Sequence, residues 1–210
     1  MRVHYPKIEL AIPHLQIGDL VLIKGKQRYV SRLISHVTKS YWSHVAMVFD
    51  LPQLDANTQD VSLIESLDNG IEIHRLAWYL RRRKEYAIGI KRMVGLTYEE
   101  RERIRGFFLD AVDTPYDYSR VFALFVSPYL LKIAGAPFVR GITKKWINVN
   151  QYICTSFVQR AFYLGVSPDK RHKVFFRQDE SVDFLDKMEV ISPGDIARSK
   201  NTEWIFNEHA

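Results

Sequence analysis

Apolar residues cluster through Leu20–Ile23 in DLVLIKG, a run opened by Gly18-Asp19 and closed by Gly25. A short apolar run bounded by turn residues predicts a strand. Gln27–Val37 instead carries Val30, Leu33, Ile34 and Val37, spaced by three and four, which predicts a helix. SHVAMVFD, Ser43–Asp50, reads as a buried strand ended by Leu51-Pro52, and the polar stretch Asp55–Asp60 as a loop. Val61–Ser66 and Gly70–Arg75 flank Asp68-Asn69-Gly70, a strong turn signal, and predict a hairpin. Ala77–Arg83 reads as a short helix and Tyr86–Lys91 as a further strand.

The pattern then changes period. Leu96-Thr97 followed by Glu99 and Glu100 marks a helix start, with carboxylates where the helix dipole favours them. Ile104, Phe107, Phe108 and Ala111 continue at helical spacing until Thr114-Pro115 breaks it. Gln151–Leu164 predicts another helix, stopped by Gly165. The expectation is one α+β domain over residues 1–210, mainly β over about 16–95 and mainly helical over about 96–198.

Composition narrows the class. At 47% hydrophobic and 26% charged residues the chain is globular, so disorder and collagen-like repeats are excluded. A single cysteine, Cys154, excludes a disulfide framework within the chain and any zinc site built on several thiolates. A net charge of +6 permits a polyanionic partner, but the densest basic run, Arg81-Arg82-Arg83-Lys84, reads as a solvated helix end. With no zinc-finger or RNP pattern, no nucleic-acid partner is expected. The first residues, MRVHYPKIELAIPHLQIGD, lack the apolar core of a signal peptide, so a cytoplasmic location is expected. Val121–Val139 is the most membrane-like segment, but Pro128, Lys132 and Pro137 interrupt it. It reads as a buried helical hairpin, with peripheral lipid contact as the alternative.

Three residues could carry chemistry. Phe157, Val158, Ala161 and Phe162 follow Cys154 at helical spacing, which puts the thiol in the first turn of an amphipathic helix. There the dipole favours the thiolate; the bland reading is a small buried hydrophobe. His44 opens an apolar strand and so needs partners for its ring nitrogens, structural or catalytic. Glu65 ends the run Val61, Leu63, Ile64. If its strand neighbours that of His44, its carboxylate can orient the imidazole; otherwise it caps the following turn from solvent.

Together GDLVLIKG, SHVAMV, LIESLDNGIEIHRL, TPYDYS, YICTSFVQRAFYLGV and SPGDIARS resemble the permuted branch of the NlpC-type papain-like superfamily, the YiiX/YebB-like cysteine hydrolases. The resemblance spans roughly Gly18 to Arg198, in the order histidine, acid, cysteine. Many relatives read C-S-E-L-V or C-S-G-L-V, whereas this chain has Cys154-Thr155-Ser156-Phe157-Val158. It implies an antiparallel sheet packed against helices and a Cys154–His44–Glu65 triad acting through a thioester, without metal or cofactor. Tyr116, Tyr118 and Tyr152 are candidates for a side-chain donor to the oxyanion or for binding substrate. The implied substrate is a cell-wall-type peptide or related amide. An acyl lipid is the alternative, because lecithin retinol acyltransferase-like proteins share the permuted architecture. A silent binding module on the same fold is the third reading, opposed by retention of all three residues.

Overall fold

The computed structural model describes residues 4–26, 35–36, 39–52, 61–67, 70–110, 154–179, 183–189 and 191–209. Six strands form one antiparallel sheet: β1 (Leu20–Gly25), β2 (His44–Asp50), β3 (Ser62–Leu67), β4 (Gly70–Arg75), β5 (Tyr86–Met93) and β6 (Thr202–Asn207). Their spatial order is β4-β3-β2-β1-β5-β6. The helices are α1 (Ile8–Ala11), α2 (Leu76–Leu80), α3 (Tyr98–Asp110), α4 (Cys154–Gly165), α5 (Phe184–Glu189) and α6 (Pro193–Arg198). The class is α+β, as expected.

Side chains alternate across the sheet and fill a core on each face. On the first face Leu20, Leu22, Val45, Met47 and Ile64 meet Ile104 and Phe108 of α3 and Phe157, Val158, Ala161 and Phe162 of α4. On the second, Val21, Ile23, Ala46, Val48, Leu63, Ile88 and Ile90 meet Ile8 and Ala11 of α1 and Leu76 and Tyr79 of α2. Burial on both faces is why β1 and β2 read as continuous apolar runs rather than as alternating ones.

Most of the expected elements are present. The start of α3 is a reciprocal cap: the Thr97 N–H donates to Glu100 Oε2 at 2.9 Å, and the Glu100 N–H donates to Thr97 Oγ1 at 3.2 Å. Gly165 closes α4 where α3 crosses it, and a Cβ there would collide with Ile104. Arg103 Nε caps the same glycine carbonyl at 2.8 Å.

Two boundaries need correction, and one strand lies outside the expected elements. The helix expected over Ala77–Arg83 is α2, ending at Leu80, because Arg82 turns back over the Trp78 ring at 4.2 Å and donates to the Trp78 carbonyl. β5 runs to Met93 rather than Lys91. A further strand, β6, lies beyond both expected halves, at the end of the chain, and pairs with β5. Its apolar content is only Trp204, Ile205 and Phe206, too short a pattern to declare a strand. The helix expected over Gln27–Val37 and the segment Val121–Val139 lie outside the described residues, except for Ser35 and His36. Among the described residues, no helix is long and apolar enough to cross a membrane.

Candidate active site

The register of β2 and β3 makes the site. Met47 pairs with Ile64 and Val48 with Leu63, so His44 and Glu65 project from neighbouring strands on one face. His44 Nε2 and Glu65 Oε2 are 2.7 Å apart. Glu65 is 2% exposed, which overturns the solvent-facing cap and leaves the pairing with His44. His44 is the first residue of β2 and is half-buried, its side chain 20% exposed.

The sequence did not reveal the third member of this cluster. Tyr79, on α2, donates its hydroxyl to Glu65 Oε2 at 2.7 Å and is itself buried. Both hydrogen bonds therefore fall on one carboxylate oxygen, while Oε1 is buried without a hydrogen-bond partner. The signal was a tyrosine inside the apolar stretch LAWYL, where a buried hydroxyl must find an acceptor.

Electrostatics keep Glu65 ionised. Burial pushes its carboxyl up, but the His44 hydrogen bond and charge, the Tyr79 hydroxyl and the His74 charge together hold it below the ordinary value. His74 belongs to an adjacent pair, its Nε2 lying 2.8 Å from Glu72 Oε2 on β4.

Cys154 is the first residue of α4, the helix that packs on β2 and β3. Polar bonds fix the following turns. Thr155 Oγ1 donates to the Ile191 carbonyl at 2.5 Å, while Gln159 donates to the Val174 carbonyl and accepts from the Phe176 N–H. Ser156 is fully buried. The Cys154 side chain lies outside the described residues, as do Tyr116, Tyr118 and Tyr152. The body of α4 covers the first face of the sheet, whereas strand alternation sends His44 and Glu65 to the second.

A second buried pair organises the Gly18-Asp19 motif. Asp19 is fully buried and receives Arg92 Nε and Nη2 at 2.7 and 2.6 Å, with the Gln16 N–H at 2.8 Å. Its backbone carbonyl accepts from Val48 N–H at 2.8 Å, tying β1 to β2 close to their pairing register. This acid is structural, and Gly18 beside it adopts a φ of 86°, the left-handed region glycine tolerates. Among the described residues, no three His, Cys, Asp or Glu side chains cluster to hold a metal.

The chain is similar in fold to the crystal structure of metalloprotein yiiX from Escherichia coli O157:H7. The two are 15% identical, with a TM-score of 0.56, covering 92% of this chain and 97% of that one. Comparison with curated proteins gives no match. Residues 14–123, which include His44 and Glu65, match the family described as permuted papain-like amidase enzymes, YaeF/YiiX, C92. The paired histidine and glutamate on adjacent strands, the helix headed by the only cysteine and this match over more than half of the chain place the protein in the YaeF/YiiX family of permuted papain-like amidases, and so among the cysteine hydrolases.

Proposed function

We propose that the protein hydrolyses an amide bond through a Cys154 thioester, with His44 as acid–base and Glu65 as the group that orients it. The observation that carries this reading is the 2.7 Å contact between His44 Nε2 and buried Glu65, on the strands beneath the helix that Cys154 opens. Because Nε2 is engaged by the carboxylate, Nδ1 is the nitrogen that exchanges a proton with the thiol.

Nδ1 accepts the Cys154 proton and the thiolate attacks the amide carbonyl carbon, forming the C–S bond. Backbone N–H groups at the head of α4, which lack partners within the helix, stabilise the oxyanion. Collapse breaks the C–N bond as the imidazolium returns its proton to the leaving amine. Water, deprotonated by Nδ1, then attacks the thioester, releasing a carboxylic acid and restoring the thiol. The reading requires the thiol to meet His44 at the open start of β2, since further along the strand α4 and the His44 side chain lie on opposite faces. A cell-wall-type peptide or related amide is the substrate class this reading favours, because the family is one of amidases.

Iodoacetamide alkylation of the single thiol tests it. Cys154 should react below neutral pH, and His44→Ala should return it to the ordinary thiol pKa of about 8.5. Cys154→Ala should abolish amide hydrolysis and keep the fold. An ordinary thiol in the native protein would end the nucleophile assignment.

A further inference from the structure

We infer that Tyr79 is a positioning residue of this site, acting on His44 through Glu65; the inference rests on the hydrolase reading above. The geometry that carries it is a shared acceptor. Tyr79 Oη and His44 Nε2 each lie 2.7 Å from the same oxygen, Glu65 Oε2, while Oε1 is buried without a hydrogen-bond partner. A carboxylate held by one oxygen has no second anchor against rotation about its last torsion. Removing Tyr79 leaves it with the imidazole alone, the partner it is meant to orient.

Tyr79 is well placed to be that anchor. Its ring meets Trp78 edge-on at 4.9 Å and Tyr86 edge-on at 5.2 Å, and the residue is buried in the second core. The hydroxyl is therefore delivered by a rigid element rather than by a surface side chain. A hydrogen bond to an ionised acceptor is among the stronger ones in proteins, and its loss in a buried site is felt in full. The other titratable groups around Glu65 are His44 on β2 and the pair Glu72 and His74 on β4. Tyr79 thus supplies a neutral donor in a cluster otherwise set by charges, which keeps the carboxylate aligned whether or not His74 is protonated.

Two substitutions and their combination test this. Tyr79→Phe should lower kcat roughly tenfold, with KM within about twofold, and raise the acid limb of the pH profile by about one unit. In a Glu65→Gln background the same change should cost nothing further, because the residue it acts through has lost its charge. Equal losses in both backgrounds would mean a general packing role and overturn the inference, as would an unshifted acid limb. Should Tyr79→Phe fail to fold, 3-fluorotyrosine at position 79 keeps the shape with a more acidic hydroxyl and should move the limb the other way; no movement overturns the inference. Following the Glu65 carboxyl by carbon-13 NMR in Cys154→Ala needs no turnover. There the Tyr79→Phe change should raise the Glu65 titration by about one unit even if the hydrolase reading fails, and an unchanged titration overturns the inference.

Discussion

Glu65 on β3 and Glu72 on β4 are direct cross-strand partners, and each is bound by a histidine at hydrogen-bond distance. Like charges in that relation repel, yet the two pairs differ in surroundings. Glu65 is 2% exposed, whereas the Glu72 and His74 side chains are about a third exposed and screened by water. Glu72→Gln should therefore change stability by less than about 0.5 kcal/mol and leave amide hydrolysis nearly intact. Glu65→Gln should cut kcat about 10- to 100-fold, and His44→Ala more, because glutamine can still accept a hydrogen bond from the ring but cannot stabilise imidazolium. Thermal melts and steady-state kinetics on the three variants check this.

Acid should act through Glu65. Its native carboxyl lies below the ordinary value of 4.5, so the folded state binds the proton less readily than the unfolded chain. The stability it contributes is present in full above 4.5 and is lost as pH falls through the lower native value. Urea melts of the wild type and Glu65→Gln should converge below that window and diverge above it.

Lys91 gives a slope of the same sign in an alkaline window. It is 2% exposed and donates to the carbonyls of Ile196, Ala197 and Ser199 at 3.1, 2.7 and 3.0 Å, capping the end of α6. Burial lowers its pKa from 10.5 to about 8. Between those values the unfolded chain holds more protons than the folded one, so this group makes stability rise with pH from about 8 to 10.5. Lys91→Met should remove that rise. At neutral pH it should also destabilise by about 1–3 kcal/mol, since three carbonyls lose their donor. Denaturant melts at pH 7, 9 and 10 distinguish the two effects.

Arg92→Met tests the Gly18-Asp19 anchor. Asp19 would remain fully buried without its bidentate cation, a situation costing about 3–5 kcal/mol. Burial already pushes the Asp19 carboxyl up against the pull of Arg92, so the variant should escape part of the cost by protonation. Its stability deficit should shrink as pH falls from 7 to 5. A deficit independent of pH would show that Asp19 is not the residue left stranded.

The local elements were legible because their causes are local. The runs through Leu22 and Ala46, the Asp68-Asn69-Gly70 turn and the Thr97–Glu100 cap carry their own periodicity or hydrogen-bond chemistry, and each of the flanking elements forms. His44 and Glu65 could be named as partners on the condition that their strands pair. Only register could meet that condition, because a slip of one residue turns a side chain to the other face. Tyr79 was not found because its acceptor lies 14 residues away across a hairpin, and nothing in LAWYL says which carboxylate it meets. Likewise Arg92 reads as an ordinary strand cation until the sheet brings it against Asp19, 73 residues distant. Local pattern alone specified strands β1 to β5, the capped start of α3 and the cysteine, histidine and carboxylate that are candidates for the site. Tertiary structure decided which oxygen of which carboxylate each donor reaches, because that depends on strand register and sheet order, and these follow from burying two faces at once.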